Sequence, residues 1–290
     1  MQDKRHYLQR SESPVLGYEH IPGKTVQWAR RRLQINAHGI RADTDDTFGG
    51  RQRIGLLGDS VTFGVTQSQD QTLSALLQVQ LDEQGTDAAV INLGTAGYGL
   101  EELAEYLPLK DAVYDLDTCI YIFNPNDFSR RNSIYEGGDN GSYRMYYRPV
   151  FTSLWFLTKT WKKLISRGNP LPWYRFIYHG NRDRGFADLE KLVRYAKTQG
   201  IKFAVVLMPS EYAYRDSAYL LDEEYTQIQS YLRQRDVAVI FPREEFSRNI
   251  AVLYDTTDHL RVEGNLLMIS VLLEVLDQLQ AAQSRTGSEG

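Results

Sequence analysis

Five short runs of consecutive apolar, largely β-branched residues are spaced along the chain. They lie at Arg53–Leu57, Ala89–Leu93, Thr118–Phe123, Lys202–Met208 and Val237–Phe241. None of them alternates strictly between polar and apolar positions, which would indicate a strand exposed on one face. Continuous apolar runs of this length are typical of strands buried on both faces, as in a parallel sheet covered by helices. The pattern therefore predicts a five-stranded parallel sheet.

Helical periodicity separates several of these runs. Four stretches repeat apolar residues at intervals of three and four: Leu73–Leu81, Leu189–Ala196, Tyr225–Leu232 and about Leu266–Leu279. Gly85 and Gly200 follow the first two stretches, and glycine is a common helix stop. Alternation of strands and helices predicts an α/β fold, specifically a flavodoxin-like three-layer α/β/α sandwich with right-handed crossovers.

Two regions depart from this rhythm. Residues 1–50 show little periodicity, which predicts an N-terminal extended arm packing on a core domain at 51–283. Residues 128–185 are rich in Tyr, Arg and Gly and are far longer than an ordinary connection, so we expect an insertion there, with one helix near Leu154–Ile165. The polar residues 284–290 are predicted to be a disordered tail.

Composition and charge narrow the class of protein. The 290 residues carry 33 Lys+Arg against 37 Asp+Glu, a formal net charge of −4, which argues against a nucleic-acid partner. The single Cys119 excludes an internal disulfide and a cysteine zinc site. The sequence has no stretch of 18 consecutive apolar residues, so no transmembrane segment is predicted. The N-terminus lacks the apolar region of a signal peptide. The sequence does not determine the cellular compartment. The residues present fit a cytoplasmic protein, and a periplasmic or envelope-associated location would apply if an N-terminal anchor has been removed.

The strongest sign of chemistry is the segment LLGDSVTFG at Leu56–Gly64. Ser60 follows the first predicted strand, and ligands of open α/β sheets bind outside the carboxyl ends of the strands. Ser60 is therefore a candidate nucleophile, with backbone N–H groups nearby to stabilise an oxyanion. The alternative is that Asp59 or Ser60 only caps a helix.

Three further segments add to this one. GDSVTFG resembles the first block of the GDSL, or SGNH, hydrolase family. NLGTAGYG at Asn92–Gly99 is similar to the second block, NPND at Asn124–Asp127 to the third, and DHLRVEG at Asp258–Gly264 to the last. The four segments occur in the family's order, three of them at the ends of the first three predicted strands. The resemblance covers about residues 53–280.

The resemblance implies a role for each matching residue. Ser60 would be the nucleophile and His259 its general base, while the backbone N–H groups of Ser60 and Gly97 and the Asn126 side chain would form the oxyanion hole. A serine hydroxyl needs such a base, and His259 is the histidine that follows the fifth predicted strand. No metal or organic cofactor is implied.

Two positions depart from the family pattern. The family usually has Asp three residues before the histidine, where this chain has Thr256. Asp255 and Asp258 lie four residues and one residue before His259; we favour Asp255 as the carboxylate that orients the ring, with Asp258 or a backbone carbonyl as alternatives. Asn124 stands where the third block usually has Gly.

These features predict a serine esterase that cleaves small acyl esters, such as acetyl esters, on a carbohydrate. The stretch GYEHIPGK…INAHGIRAD resembles the lead-in of bacterial SGNH proteins of envelope polysaccharide modification. An O-acyltransferase using the same site and an inactive SGNH glycan-binding module remain alternatives. A set of Tyr, Arg and Trp residues in the insertion would either stack on sugar rings or form a small core of their own: Tyr135, Tyr143, Arg144, Tyr146, Tyr147, Arg148, Trp155, Trp161 and Trp173. The acyl group, the acceptor and the oligomeric state are left open.

Overall fold

A computed structural model describes residues 7–28, 31–129, 133–137, 143–147, 169–216, 218–255 and 259–286. Its strands are β1 (Leu8–Arg10), β2 (Tyr18–His20), β3 (Thr25–Trp28), β4 (Arg31–Gln34), β5 (Gln52–Gly58), β6 (Ala88–Gly94), β7 (Thr118–Phe123), β8 (Ser133–Gly137), β9 (Tyr143–Tyr147), β10 (Lys202–Leu207), β11 (Tyr214–Arg215), β12 (Ala218–Tyr219) and β13 (Ala238–Ile240). Its helices are α1 (Ser60–Phe63), α2 (Leu73–Glu83), α3 (Leu100–Tyr114), α4 (Leu171–Gln199), α5 (Asp222–Arg233), α6 (Arg243–Ser247), α7 (Ile250–Leu253) and α8 (Val262–Thr286).

The centre of the molecule is a parallel five-stranded sheet in the order β13-β10-β7-β5-β6. The central strand β7 is buried on both faces: Ile120 and Ile122 belong to one apolar cluster, and Tyr121 and Phe123 to the other. Helices α2 and α8 contribute to the first cluster, and α3, α4 and α5 to the second. The predicted α/β/α sandwich with five parallel strands is confirmed.

The strand order fixes where a ligand would bind. Strand β5 is followed in sequence by β6 on one side and by β7 on the other, so the chain reverses its direction of winding between β5 and β7. A crevice outside the carboxyl ends of the strands forms at such a switch point. The segments after Gly58 and Phe123 therefore border this crevice.

The long segment predicted as an insertion is partly helical. Helix α4 begins at Leu171, well before residue 185, and buries Leu171, Tyr174, Ile177 and Tyr178 at helical spacing. Residues 171–185 of that segment therefore belong to the helix that ends before Gly200. The expected helix near Leu154–Ile165 and residues Arg148, Trp155 and Trp161 lie outside the described residues.

Both ends of the chain contain regular secondary structure. The arm forms antiparallel pairs, β1 with β2 and β3 with β4. Its side chains Tyr7, Leu16 and Ile35 are buried in the core. Helix α8 continues to Thr286, into the predicted tail, and residues 287–290 lie outside the described residues. Within the described ranges, no helix is both long enough and apolar enough to cross a membrane.

Candidate active site

Ser60 is the first residue of the short helix α1, directly after β5. The Asp59 carboxylate accepts a hydrogen bond from the Val61 N–H at 2.9 Å and so caps this helix. Helix α1 passes so close to the end of β6 that a Cβ at Gly94 would lie 2.1 Å from the Phe63 nitrogen. The close approach of α1 to β6 therefore requires glycine at position 94. It places Ser60 at the switch point of the sheet.

His259 reaches Ser60 from the opposite end of the sequence. Its Nε2 lies 3.0 Å from Ser60 Oγ, and both side chains are half-buried. The loop that carries His259 is closed by a bridge between Tyr254 and Leu260 and by a hydrogen bond from the Asp255 N–H to the His259 carbonyl at 2.8 Å. The distance is within reach for proton transfer from the hydroxyl to the imidazole.

Asn126 joins this pair through a carboxylate that sequence reasoning treated only as a helix cap. Asp59 Oδ2 accepts hydrogen bonds from Asn126 Nδ2 and from Ser60 Oγ, both at 3.2 Å, and Asp59 is fully buried. One N–H of the Asn126 amide is thus hydrogen-bonded to Asp59. Because the amide group is planar, this bond also sets the direction of the other N–H. The sequence signal was the position of Asp59 directly before the candidate nucleophile.

The turn that carries Asn126 is rigid. Asn126 lies in a turn of 3-10 helix over Pro125–Phe128, where the buried Asp127 carboxylate accepts from the Asn124 N–H at 2.9 Å and from the Tyr121 hydroxyl at 2.7 Å. Burial, followed by the nearby Asp127 charge, raises the pKa of Tyr121. The hydroxyl of Tyr121 therefore stays protonated as a donor, which anchors the turn to β7.

Gly97 lies in the tight turn Thr95–Tyr98, in which the Tyr98 N–H donates to the Thr95 carbonyl at 3.1 Å. Gly97 has φ +96°, a conformation that favours glycine at the third position of a turn. The Thr95 N–H donates to the Gly58 carbonyl at 3.0 Å, so this turn is attached to the end of β5. Its location thus borders the same crevice as Ser60.

Solved structures share this architecture. The crystal structure of TesA is 17% identical, with a TM-score of 0.53 over 79% of this chain and 99% of that chain. The acetyl xylan esterase AlAXEase is 16% identical, with a TM-score of 0.50 over 77% and 98%. A member of the lipolytic G-D-S-L protein family from Veillonella parvula is 15% identical, with a TM-score of 0.50 over 77% and 97%. The chain has the SGNH (GDSL) hydrolase fold. No family model matches the sequence, and no curated protein matches it.

Within this SGNH fold, only one of the two carboxylates considered as partners of His259 lies among the described residues. Asp255 Oδ1 accepts the backbone N–H of His259 at 3.2 Å, a contact that holds the loop. Orientation of the imidazole ring by Asp255 therefore stays a prediction. Asp258 lies outside the described residues.

The backbone carbonyls after α1 are bound by an arginine that the sequence analysis did not predict to be near the site. The buried Arg41 guanidinium donates to the carbonyls of Phe63 at 2.9 Å, Gly64 at 2.5 Å and Gln67 at 2.9 Å. Burial lowers the pKa of Arg41 to about 10, so it remains charged at neutral pH. It satisfies the carbonyls at the end of α1. A lone arginine in an aperiodic arm gives no signal of this contact.

Among the described residues, no three or more His, Cys, Asp or Glu side chains are arranged to hold a metal ion. Cys119 is buried in the core, where burial raises the pKa of its thiol.

Proposed function

We propose that this protein is a serine esterase of the SGNH type that cleaves small acyl esters, such as acetyl esters, on carbohydrates. The observation that carries the proposal is the 3.0 Å contact between His259 Nε2 and Ser60 Oγ at the switch point of the sheet. A nucleophile and a base within hydrogen-bond reach are the two groups that acyl transfer requires.

In the proposed mechanism, Ser60 Oγ attacks the ester carbonyl while its proton moves to His259 Nε2. The C–O bond to the alcohol then breaks, and His259 returns the proton to the departing oxygen. Water attacks the resulting acyl-enzyme by the same route in reverse, which releases the carboxylic acid and restores Ser60. Asp255 or Asp258 orients the imidazole ring.

The oxyanion of each tetrahedral intermediate would be held by the backbone N–H groups of Ser60 and Gly97 and by the Asn126 side chain. The hydrogen bond from Asn126 Nδ2 to Asp59 supports this role because it fixes the amide next to the nucleophile. Loss of one such donor typically lowers kcat by about 10²–10³.

The choice of substrate class rests on two resemblances. One of the similar solved structures is an acetyl xylan esterase, an enzyme named for an acetylated polysaccharide. The arm from Gly17 to Asp43 resembles the lead-in of SGNH proteins of envelope polysaccharide modification. Both favour a small acyl group on a glycan over a long-chain lipid ester.

The first experiment is hydrolysis of p-nitrophenyl acetate and butyrate by the wild type, Ser60→Ala and His259→Ala. Ser270→Ala and His179→Ala, whose side chains lie on other parts of the surface, are the matched controls. We expect activity that falls by at least about 10³ in the two site variants and is unchanged in the controls. Acetylated xylan oligosaccharides then test the glycan.

A second measurement separates an active serine from turnover. A fluorophosphonate forms a P–O bond with an activated serine as fluoride departs, and intact mass would show one adduct, absent in Ser60→Ala. Labelling of Ser60 without hydrolysis of any ester would favour an O-acyltransferase. An assay of acyl transfer to an added sugar acceptor would then test that function. A wild type no more reactive than Ser60→Ala in both assays would contradict an enzymatic function.

A further inference from the structure

The segment between α1 and α2 contains a buried polar side chain, Gln67, which is 6% exposed. Its amide Nε2 donates to the carbonyl of Leu260, the residue directly after His259, and to Thr66 Oγ1 at 3.1 Å. Thr66 Oγ1 itself donates to the same Leu260 carbonyl at 3.4 Å. Two neighbouring side chains of one segment therefore bind a single carbonyl of the histidine loop.

On its other side, Gln67 is fixed to the helix of the nucleophile. Its backbone N–H donates to the Gly64 carbonyl at 3.0 Å, and the Val65 N–H donates to the Ser60 carbonyl at 3.2 Å. Arg41 donates to the Gln67 carbonyl at 2.9 Å and to two carbonyls of the helix end. The backbone at Gln67 is thus connected to Ser60 by hydrogen bonds.

The histidine loop is also held away from α1, where the Tyr254 hydroxyl donates to the Pro209 carbonyl at 2.6 Å. It is closed within itself by the Tyr254–Leu260 bridge and the hydrogen bond from the Asp255 N–H to the His259 carbonyl. These bonds shape the loop, but they do not connect it to α1. The side chains of Gln67 and Thr66 make this connection at the Leu260 carbonyl, one residue after His259.

We propose that Gln67 is a positioning residue that keeps His259 Nε2 within hydrogen-bond reach of Ser60 Oγ. The contacts form a closed path from Ser60 through α1 to Gln67, across to Leu260, and back through His259 to Ser60. This inference rests on the proposed function, because positioning matters only if the two residues react together.

Loss of the amide would have two consequences. The buried Leu260 carbonyl would keep only the longer hydrogen bond from Thr66 Oγ1 at 3.4 Å, and a poorly satisfied buried carbonyl favours local rearrangement toward water. The loop would then shift, and a displacement of about 1 Å between reacting groups costs about 10² in rate. Because Gln67 is buried behind the reacting pair, substrate binding would change little.

The test compares Gln67→Met with Gln78→Met. Methionine preserves the length of glutamine and fills the same space without an N–H donor. Gln78 is the matched control because its amide also bonds backbone, at Ala88 and Val90, but in the amino-terminal half of β6. For Gln67→Met we expect kcat on p-nitrophenyl acetate to fall by about 10–100-fold with KM within about twofold, and fluorophosphonate labelling of Ser60 to slow by a similar factor. Gln78→Met should keep the wild-type kcat.

Amide hydrogen exchange of residues 254–261 gives a readout that does not depend on catalysis. We expect faster exchange of this loop in Gln67→Met and unchanged exchange in Gln78→Met, because only the first contact holds the loop. Unchanged exchange, or an unchanged kcat in an active enzyme, would overturn the positioning role. A wild type as inactive as Ser60→Ala would instead overturn the proposed function, and exchange would then decide the role of Gln67 alone.

Discussion

At the scale of single residues, Asp59 performs two tasks with one carboxylate. Oδ1 accepts the Val61 N–H and caps α1, and Oδ2 accepts from Ser60 Oγ and Asn126 Nδ2. Since the serine hydroxyl has one proton, Asp59 and His259 compete for it before reaction. Asp59 thus orders the Asn126 amide and also offers Ser60 an unreactive hydrogen bond.

We predict that Asp59→Asn separates these tasks. Asparagine caps helices about as well as aspartate, so the free energy of unfolding should change by less than about 1 kcal/mol. Its amide presents both a donor and an acceptor, so it no longer holds Asn126 as the carboxylate does. We expect kcat/KM to fall by about 10-fold or more, toward the loss of an oxyanion donor. Urea unfolding and esterase kinetics measure the two effects.

Asp59→Ala is the control for this substitution, because it removes the cap as well. It should lower the free energy of unfolding by about 1 kcal/mol in addition to the loss of activity. Wild-type kcat/KM in Asp59→Asn would show that the Asn126 amide is held by other groups.

At the scale of elements, the open edge of the sheet is closed by a side chain. Strand β6 is an edge strand, and its outer groups include the Val90 N–H and the Ala88 carbonyl. The Gln78 amide accepts from the first at 2.8 Å and donates to the second at 3.0 Å. A residue of a neighbouring parallel strand makes the same pair of bonds, so Gln78 substitutes for a sixth strand.

We predict that Gln78→Ala exposes this edge. Both hydrogen bonds of the Gln78 amide to β6 would be lost, which lowers the free energy of unfolding by about 1–3 kcal/mol. The freed Val90 N–H would favour edge-to-edge association, while the Ala88 carbonyl keeps its hydrogen bond from Arg51. Thermal unfolding and light scattering at increasing protein concentration measure these effects. Equal stability together with a concentration-independent scattering profile would contradict the role of Gln78 at the edge.

The elements also show how far the sequence could predict the structure. The five strands of the central sheet, the helices α2, α5 and α8, and the segments at the ends of β5, β6 and β7 were predictable, because apolar periodicity and the placement of a ligand crevice are local rules. The contacts that hold the site together were not. Gln67 and Leu260 are 193 residues apart, and Arg41 reaches Phe63 from an arm without periodicity. Such pairs depend on the complete tertiary structure, so no local pattern indicates them.

At the scale of the whole molecule, the arm is part of the core that supports the site. Tyr7 stacks on Phe63 of α1 at 5.5 Å, and the Tyr18 hydroxyl donates to the Ala96 carbonyl at 2.8 Å, next to Gly97. His20 lies under the same helix, with its ring 4.9 Å from that of Phe63. The candidate nucleophile Ser60 and the candidate oxyanion turn therefore both pack on residues that precede the central sheet in the sequence.

His20 makes this support sensitive to acid. Burial is the main cause that lowers the pKa of His20 to about 4, and the charges of Lys110 and Arg41 lower it further. Nδ1 lies 3.0 Å from the Gly39 carbonyl and so carries the proton, while Nε2 is buried without a hydrogen-bond partner among the described residues. Protonation of Nε2 would place an unpaired charge between the arm and α1.

The resulting pH dependence has a definite sign. An unfolded histidine has a pKa of about 6.5, so between pH 6.5 and pH 4 the unfolded chain binds more protons and stability falls as the pH falls. The contribution of His20 is complete above about pH 6.5, decreases by about 1.4 kcal/mol at pH 5.5, and reaches a loss of about 3 kcal/mol near pH 4.

His20→Gln retains a donor for the Gly39 carbonyl but cannot be protonated. Urea unfolding at pH 7.0, 5.5 and 4.5 should therefore show a flatter pH dependence in His20→Gln than in the wild type. Parallel curves for wild type and His20→Gln would mean that His20 is not the group that titrates, and the arm would then owe its acid sensitivity to carboxylates.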